Sequence, residues 1–291
     1  MGKKIIVFTT FRDFNGGIND KIQRFFLQSV RNQNYHNFSL AVTVFKEKGV
    51  REALDESGLP YSIYNNPTDE YKFSWSQTLL NAIAESAKYP DGCILLWANS
   101  DSVLEPNYLE RVAHTTGSKV GGISYPHLGY KSIEDYKMNK PAGRGWYGFD
   151  GAFFTSDVFT PECITAIKKY MFNDYGYFEF FIAALCSIFC LKQINLWPQG
   201  YVAIANDYVA VNQTYDNWKK IGKINMEKLK TFADEYGIKH HHWYYLLLNY
   251  KITSNSPGAL LMRARIYIQE HYAESYLRRV MPRIMRILKI K

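Results

Sequence analysis

The chain has 291 residues and a formal net charge of +8, from 35 Lys and Arg against 27 Asp and Glu. Because 47% of the residues are hydrophobic and only 21% are charged, the composition excludes general disorder and is sufficient for a substantial core. Residues 252–291 hold eight basic residues and two Glu, so most of the net charge belongs to a C-terminal segment.

Strand-like and helical patterns alternate through the first 115 residues. Short apolar runs rich in β-branched residues predict buried strands, and apolar residues at three- and four-residue spacing predict helices. The predicted strands are Lys4–Thr10, Phe38–Phe45, Tyr61–Tyr64 and Cys93–Ala98, and the predicted helices are Asp20–Arg31, Gly49–Ser57, Trp75–Ala87 and Asn107–Thr115. This alternation is typical of an α/β domain with a parallel sheet.

The alternation loosens after about residue 118. The predicted elements there are strands Val120–Tyr125 and Ala152–Phe154, helix Phe178–Leu191, a strand-like Leu196–Ala205, and helices Gly222–Tyr236 and Leu260–Lys291. We predict one domain over residues 1–215, with halves 1–117 and 118–215, followed by a helical basic extension over 216–291.

The chain has no pattern that is typical of a secreted or membrane-spanning protein. The apolar run near its N-terminus is too short for a signal peptide. The longest apolar stretch, Phe180–Leu191, has 12 residues, whereas a spanning helix needs about 20, so we predict a buried helix. Cys186 and Cys190 share one face of it, which favours buried thiols over a zinc or disulfide site. We expect a cytoplasmic protein.

An acidic segment, Asn99-Ser100-Asp101, directly follows the fourth predicted strand. Ligands of open parallel sheets bind beyond the carboxyl ends of the strands, and hard cations take oxygen ligands. The segment Trp97–Leu109 resembles the DxD motif of GT-A-fold glycosyltransferases, in the form common in glycosyltransferase family 2.

Three further segments resemble the same family in order and spacing. Ser29–Phe38 is similar to its S-h-x-x-Q-x-Y-x-x-F run, and Ser74–Ala87 is similar to a helix that carries an asparagine, here Asn81. Gly148–Phe159 and Gly176–Leu185 resemble the acceptor-side strand and the acidic helix that follows it. The resemblance covers residues 3–190 and implies a GT-A (Rossmann-like) fold, a mostly parallel sheet flanked by helices.

The same resemblance implies an activity, with cofactor and site residues. It implies inverting transfer of a sugar from a nucleotide-diphospho-sugar, UDP-linked, to a glycan or lipid-linked saccharide acceptor. It also implies Mg²⁺ or Mn²⁺ at Asp101. The residues expected to contact the nucleotide-sugar are Thr9, Phe11, Glu47, Asn81, Asn99 and Ser100. Asn99 replaces the first acidic residue of DxD, which weakens the metal site. Glu47 is displaced from the position at which the family has an acidic residue that contacts the nucleotide base.

The catalytic base stays open among three carboxylates. Inverting transfer needs a carboxylate behind the acceptor hydroxyl, and the Glu-Asp pair of the family is replaced here by Glu179 alone. An apolar helix would desolvate Glu179 and raise its proton affinity, although it is equally well explained as a helix-start carboxylate. Asp150 and Asp174 are the other candidates. Four aromatic residues are expected to stack on acceptor sugars: Trp146, Tyr147, Tyr175 and Tyr177.

Two C-terminal segments invite further hypotheses. Adjacent side chains on a helix diverge by about 100°, so His240–His242 is better explained as part of an aromatic surface segment than as a metal site. Tyr276–Lys291 has six basic residues, no acid and an apolar side, which predicts an amphipathic helix on an anionic membrane surface. Packing of this helix on the protein itself is the alternative. No nucleic-acid-binding motif accompanies the charge.

Two other functions stay open. The departures at Asn99 and Glu179 favour a catalytically silent GT-A-fold protein that binds glycan or tethers a partner at the membrane. A sugar nucleotidyltransferase of the same fold would need a glycine-rich, basic signature after the first strand. Phe14–Ile18 with Lys21 matches this signature only faintly.

Overall fold

A computed structural model describes the chain at residues 2–11, 14–44, 48–65, 75–124, 128–141, 143–144, 151–170, 178–195, 201–204, 227–229, 231–232 and 234–237. The chain divides into two compact units, Met1–Phe232 and Ala233–Lys291. The domain boundary expected after residue 215 lies outside the described residues and stays a prediction.

The N-terminal half alternates strands and helices as the sequence predicts. Its elements are β1 (Lys4–Phe11), α1 (Ile18–Arg31), β2 (Phe38–Val44), α2 (Val50–Ser57), β3 (Tyr61–Asn65), α3 (Trp75–Ser86), β4 (Cys93–Ala98), β5 (Ser102–Leu104) and α4 (Tyr108–Ala113). Each predicted element is confirmed over its described residues, with ends that differ by two residues or fewer. Strand β5 was not predicted, because its three residues are too few to show a period.

The C-terminal half is less regular. Its elements are β6 (Val120–Ser124), β7 (Leu128–Tyr130), α5 (Ile133–Lys137), β8 (Gly143–Arg144), β9 (Gly151–Thr155), α6 (Pro161–Tyr170), α7 (Phe178–Phe189), β10 (Lys192–Asn195) and β11 (Tyr201–Ile204). The predictions of β6, β9 and α7 are confirmed, and β11 lies within the predicted strand region. The elements β7, α5, β8, α6 and β10 were not predicted.

The main sheet has seven strands in the order β10-β6-β9-β4-β1-β2-β3. All neighbouring pairs are parallel except those of β9, which runs antiparallel to both β4 and β6. A second sheet has four strands in the order β5-β11-β7-β8. The prediction of a mostly parallel α/β sheet is therefore confirmed, with one reversed strand near its centre.

Both faces of strand β1, next to the central strand β4, are buried, which explains its nearly continuous apolar sequence. On one face, Val7 and Phe11 belong to a core cluster that includes residues of α1, α2 and α4. On the other face, Phe8 packs against Trp97 of β4 and Trp75 of α3, with ring centroids 5.5 and 6.4 Å away. Helices therefore cover both faces of the sheet. The ends of its strands are not covered by these helices and are available to bind a ligand.

A buried carboxylate ties α3 to the sheet edge. Glu85 of α3 accepts hydrogen bonds from the hydroxyl of Tyr64 on β3 and from Nζ of Lys88, the latter at 2.8 Å. Burial opposes ionisation of Glu85, yet the bonds from Lys88 and Tyr64 outweigh it and hold the pKa of this carboxyl below its usual value. Glu85 is thus an anchor for α3, on which Asn81 lies.

Helix α7 confirms the prediction of a buried apolar helix. Phe181 is buried and packs against Phe232, with ring centroids 5.4 Å apart. The thiols of Cys186 and Cys190 are free, and contact with Cys186 together with burial raises the pKa of Cys190. Cys190 is hence a protonated thiol near neutral pH. The prediction of buried thiols is confirmed for Cys186, whereas Cys190 is partly exposed. No helix in the described ranges is long and apolar enough to cross a membrane.

Most of the expected C-terminal extension lies outside the described residues. Residues 227–229, 231–232 and 234–235 are helical, in agreement with the helix predicted over Gly222–Tyr236. The helix predicted over Leu260–Lys291 and the segment His240–His242 are not among the described residues.

Candidate functional site

The carboxyl ends of β1, β2, β3 and β4 meet at one edge of the main sheet. The register pairs Thr10 of β1 with Thr43 of β2, and Thr43 with Tyr64 of β3. On the other side of β1, Phe8 pairs with Trp97 of β4, so the chain leaving β4 emerges beside the end of β1. Because open α/β sheets bind ligands beyond this end of the strands, this edge is the candidate site.

A tight turn carries the predicted metal-binding residue. The backbone N–H of Ser102 donates to the carbonyl oxygen of Asn99 at 3.1 Å, an i to i+3 bond that defines a β-turn with Ser100 and Asp101 at its corner. All three turn residues before Ser102 are partly exposed, whereas the strands on either side, β4 and β5, are buried. The turn therefore presents Asp101 at the end of the central strand from a buried support.

The residues of this turn can supply some, but not all, of the oxygen atoms that coordinate a divalent cation. Asp101 supplies a carboxylate and Asn99 an amide oxygen, which are hard donors of the kind that Mg²⁺ and Mn²⁺ take. Across the part of the chain that the structure describes, no group of three or more His, Cys, Asp or Glu could enclose a metal by itself. Such a turn suits a cation whose other ligands are the oxygens of a bound diphosphate.

A chain of hydrogen-bonded polar side chains lies at the same end of the sheet, on the face that α3 covers. Asn81 Nδ2 donates to Oγ1 of Thr43 at 2.9 Å, and Gln77 Nε2 donates to Oδ1 of Asn81 at 3.0 Å. Thr10 is the register partner of Thr43 and is partly exposed. The two bonds orient Asn81 at the candidate site, and its contact with a nucleotide-sugar stays a prediction.

Thr9 and Phe11 lie on the opposite face of β1. Both side chains are fully buried, and the Thr9 hydroxyl has no hydrogen-bond partner among the described residues. The Phe11 ring packs against Phe14 and Phe26, with centroids 5.4 and 6.0 Å away. Phe11 thus supports the end of β1 from within the core, and its contact with a nucleotide stays a prediction.

The loops after β1 and β2 are joined at this edge. The backbone N–H of Phe14 donates to the carbonyl of Lys48 at 3.2 Å, and Gly49 has a φ of +73°. A Cβ at Gly49 would lie 2.5 Å from the carbonyl oxygen of Phe14, which no real side chain tolerates. Glycine is required here both by the left-handed backbone and by the close approach of the two loops.

Several predicted site residues fall outside the described residues. Glu47, Asp150 and Asp174 belong to this group, and so do the four expected acceptor-stacking residues, Trp146, Tyr147, Tyr175 and Tyr177. The backbone of Glu179 lies in the first turn of α7, and its side chain is not described. The choice of catalytic base therefore stays a prediction.

Two residues without a role predicted from the sequence hydrogen-bond to β5, the strand that follows the turn and supports it. Ser29 and Gln33 are buried and hydrogen-bond to β5, which directly follows Asp101. The sequence signal for them is their place in the family-like run Ser29–Phe38, where a buried glutamine beside an apolar helix face is unusual. Thr43 was missed as well, because a single hydroxyl residue within a buried strand does not by itself indicate a site.

Comparisons with known proteins agree with this architecture. No protein-family model matches the chain, and no curated protein matches its sequence. Residues 1–349 of S. aureus TarS in complex with UDP-GlcNAc superpose with a TM-score of 0.56 at 12% identity, covering 91% of this chain and 78% of that chain. TarS 1–349 in complex with UDP gives a TM-score of 0.51 at 11% identity, covering 85% and 70%. A longer TarS structure gives 0.51 at 12% identity, covering 91% of this chain and 47% of that chain. This likeness, the sheet order and the reversed strand β9 show that the chain has the GT-A fold.

Proposed function

We propose that this protein is a glycosyltransferase that moves a sugar from a nucleotide-diphospho-sugar to a glycan or lipid-linked saccharide. The observation that carries the proposal is the Asn99–Asp101 turn at the carboxyl end of the central strand of a GT-A fold. Fold alone does not specify function, so the proposal depends on this turn and on the polar residues beside it.

The proposed reaction is a single displacement with inversion. The acceptor hydroxyl oxygen attacks the anomeric carbon of the donor sugar, and the bond from that carbon to the diphosphate oxygen breaks. The nucleoside diphosphate leaves with the electron pair, and the hydroxyl proton passes to a carboxylate of the protein. Glu179 is our choice for that carboxylate, because it lies in the first turn of α7, the helix that resembles the acidic helix of the family, and Asp150 is the next candidate.

Asp101, with the amide oxygen of Asn99, would hold Mg²⁺ or Mn²⁺ against the donor. A bound divalent cation would neutralise negative charge on the diphosphate. One carboxylate binds such an ion less tightly than two. The ion should therefore bind at Asp101 only when the nucleotide is present and supplies further ligands. Asn81 and Ser100 would contact the rest of the donor from the adjacent strand ends.

A UDP-sugar is the donor to test first. TarS binds UDP-GlcNAc and UDP in structures of the same fold, which favours uridine over the other bases. Turnover should be assayed with UDP-, GDP-, dTDP- and CMP-sugars, each with Mn²⁺ and with EDTA. Turnover of one donor only with Mn²⁺ would support the proposal. Binding without turnover would identify a catalytically silent protein, and the absence of any binding would remove the nucleotide site altogether.

Replacing Glu179 by Gln should lower transfer by about 100-fold, the usual contribution of a general base, while donor binding is retained. The amide keeps the shape of the side chain and removes its ability to accept a proton. Initial rates at saturating donor and acceptor, together with the Kd of the donor, measure the two effects separately.

The matched control is Glu162→Gln, because Glu162 is an exposed acid in the first turn of the neighbouring helix α6. That variant should transfer sugar at the wild-type rate. Wild-type transfer by Glu179→Gln would instead move the base to Asp150 or Asp174.

We further propose that the protein is peripheral on the inner face of the cell membrane. The support is the sequence of Tyr276–Lys291, with six basic residues and no acid, since basic amphipathic helices bind anionic lipid. Deleting this segment should abolish sedimentation with vesicles that contain phosphatidylglycerol, and vesicles of phosphatidylcholine alone serve as the control. If sedimentation is unchanged, the segment does not bind the membrane, and packing of its helix on the protein itself becomes the better explanation.

A further inference from the structure

Strand β5 needs hydrogen-bond partners on its outer edge. Among the strands that the structure describes, it is the terminal strand of the second sheet and pairs antiparallel with β11 alone, with Leu104 opposite Tyr201. In antiparallel pairs, alternate residues direct both backbone groups away from the partner strand. The N–H and C=O of Leu104 point away from β11 in this manner, and because Leu104 is buried, leaving either group unpaired would be costly.

Two side chains from α1 and the residues just after it supply those partners. The N–H of Leu104 donates to Oγ of Ser29 at 3.1 Å, and Gln33 Nε2 donates to the carbonyl of Leu104 at 3.1 Å. The Gln33 amide also donates to the carbonyl of Glu105 at 2.8 Å. Ser29 and Gln33 therefore take the place of a missing neighbouring strand along the outer edge of β5.

The carboxamide of Gln33 also joins the ends of two helices. Its Nε2 donates to the carbonyl of Ser29 at 3.1 Å, near the end of α1, and its Oε1 accepts from the N–H of Leu109 at 3.0 Å, in the first turn of α4. Both are end groups without partners inside their own helices. Gln33 is only 1% exposed, so water cannot take over these bonds when the side chain is changed.

The residues that these bonds hold are close in the chain to the acidic turn. Asp101 lies three residues before Leu104, and Ser102 both begins β5 and closes the turn through its bond to Asn99. On the other side, β4 holds the turn in the central sheet. A displacement of β5 would therefore be passed directly to Asp101.

We propose that Gln33, with Ser29, is a positioning residue that holds the Asn99–Asp101 turn where it binds a divalent cation together with a diphosphate. This inference rests on the proposed function, because it gives a role in donor binding to side chains that touch neither donor nor metal. It predicts that the affinity for the metal falls in variants of Gln33 and Ser29 that stay folded, and that it does not fall in a control variant that only loses stability.

Tyr35 provides a matched control for stability. Its hydroxyl donates to the carbonyl of Lys3 at 2.6 Å, so it anchors the same connection between α1 and β2. That bond reaches the amino end of β1, at the opposite edge of the sheet from the turn. Tyr35→Phe thus removes one partly buried hydrogen bond of the connection without touching β5.

The experiment measures Mn²⁺ binding to the full chain by electron paramagnetic resonance at saturating UDP, with thermal unfolding recorded for each variant. Changes to residues that hydrogen-bond metal ligands weaken metal binding by roughly 10- to 100-fold. Gln33 acts one step further away, through β5, so Gln33→Met should show a loss at the lower end of this range, about 10-fold. Ser29→Ala, which removes one bond to Leu104, should show a smaller loss in the same direction. UDP binding in EDTA should stay at the wild-type value in both variants, and Tyr35→Phe should keep wild-type Mn²⁺ affinity.

Several results would overturn the inference. Wild-type Mn²⁺ affinity in folded Gln33→Met would do so, and if that variant does not fold, wild-type affinity in Ser29→Ala would have the same meaning. An equal loss in Tyr35→Phe would assign the effect to stability. Failure of the wild-type protein to bind Mn²⁺ with any of UDP, GDP, CDP or dTDP would overturn the proposed function first, and this inference with it.

Discussion

Replacing Asp101 by Ala should lower metal-dependent donor turnover by about 10³-fold, the scale of losing a main electrostatic contact to developing charge. Asp101 is the only carboxylate of the turn at the end of β4, and Asn99 brings no charge. Because the side chain is partly exposed at the corner of a β-turn, the fold should persist. Turnover of the preferred donor against Mn²⁺ concentration measures the effect, and circular dichroism checks the fold.

Asp91→Ala is the appropriate control for that experiment. Asp91 is exposed in the turn before β4, at the amino end of the same strand, so its replacement makes the same change in charge at the opposite edge of the sheet. It should leave turnover unchanged. The turnover of Asp101→Asn should lie between those of the wild type and Asp101→Ala, since an amide oxygen still coordinates a cation weakly. Wild-type turnover by Asp101→Ala would remove Asp101 from the site.

Replacing Gly122 by Ala should destabilise the protein by about 3 kcal/mol, at the upper end of the usual cost of overpacking a core. Gly122 lies on β6, with β9 on one side and β10 on the other. A Cβ there would lie 2.1 Å from the carbonyl oxygen of Ile194 and 2.4 Å from ring atoms of Phe153. The first contact is with backbone and the second with a fully buried ring, so neither neighbour can move aside without displacing a strand.

Thermal unfolding measures that change, with a fall in Tm of about 10 °C expected for a domain of this size. Gly17→Ala is the control, because Gly17 is exposed, has a φ of −76° and would meet only the side chain of Asn15. Its replacement should cost less than about 1 kcal/mol. If both variants unfold at the same temperature, the pairing of β6 with β10 would have to be revised.

The contrast between the two halves of the domain shows which elements local pattern can predict. In the first half, strands such as β1 and β2 are buried on both faces and are mostly apolar, and each is followed by a helix with its own period. In the second half, β7 and β8 have three and two residues, and no period can appear in so few. Helix α6 is different, because Pro161 at its start and the apolar spacing of Cys163, Ala166 and Tyr170 were readable.

The candidate site divides in a similar way. Asp101 and Asn81 could be proposed from the sequence because they lie in segments that resemble a known family, and a carboxylate after a buried strand has the chemistry that this resemblance implies. The direction of β9 and the contact of Gln33 with β5 were not accessible, because each joins residues more than 50 positions apart in the chain.

By itself, the sequence determined the alternation of buried strands and helices in the first half, the acidic residue directly after β4 and the excess of basic charge in residues 252–291. These properties depend on the order of apolar, polar and acidic residues over short stretches, which is where periodicity and turn chemistry act. Only the tertiary structure decided that β9 runs against its neighbours, that Phe11 faces the core, and that Ser29 and Gln33 complete the edge of β5. The physical reason is that a buried backbone group must find a partner wherever the fold brings one, and the partner's position in the chain is set by packing rather than by local pattern.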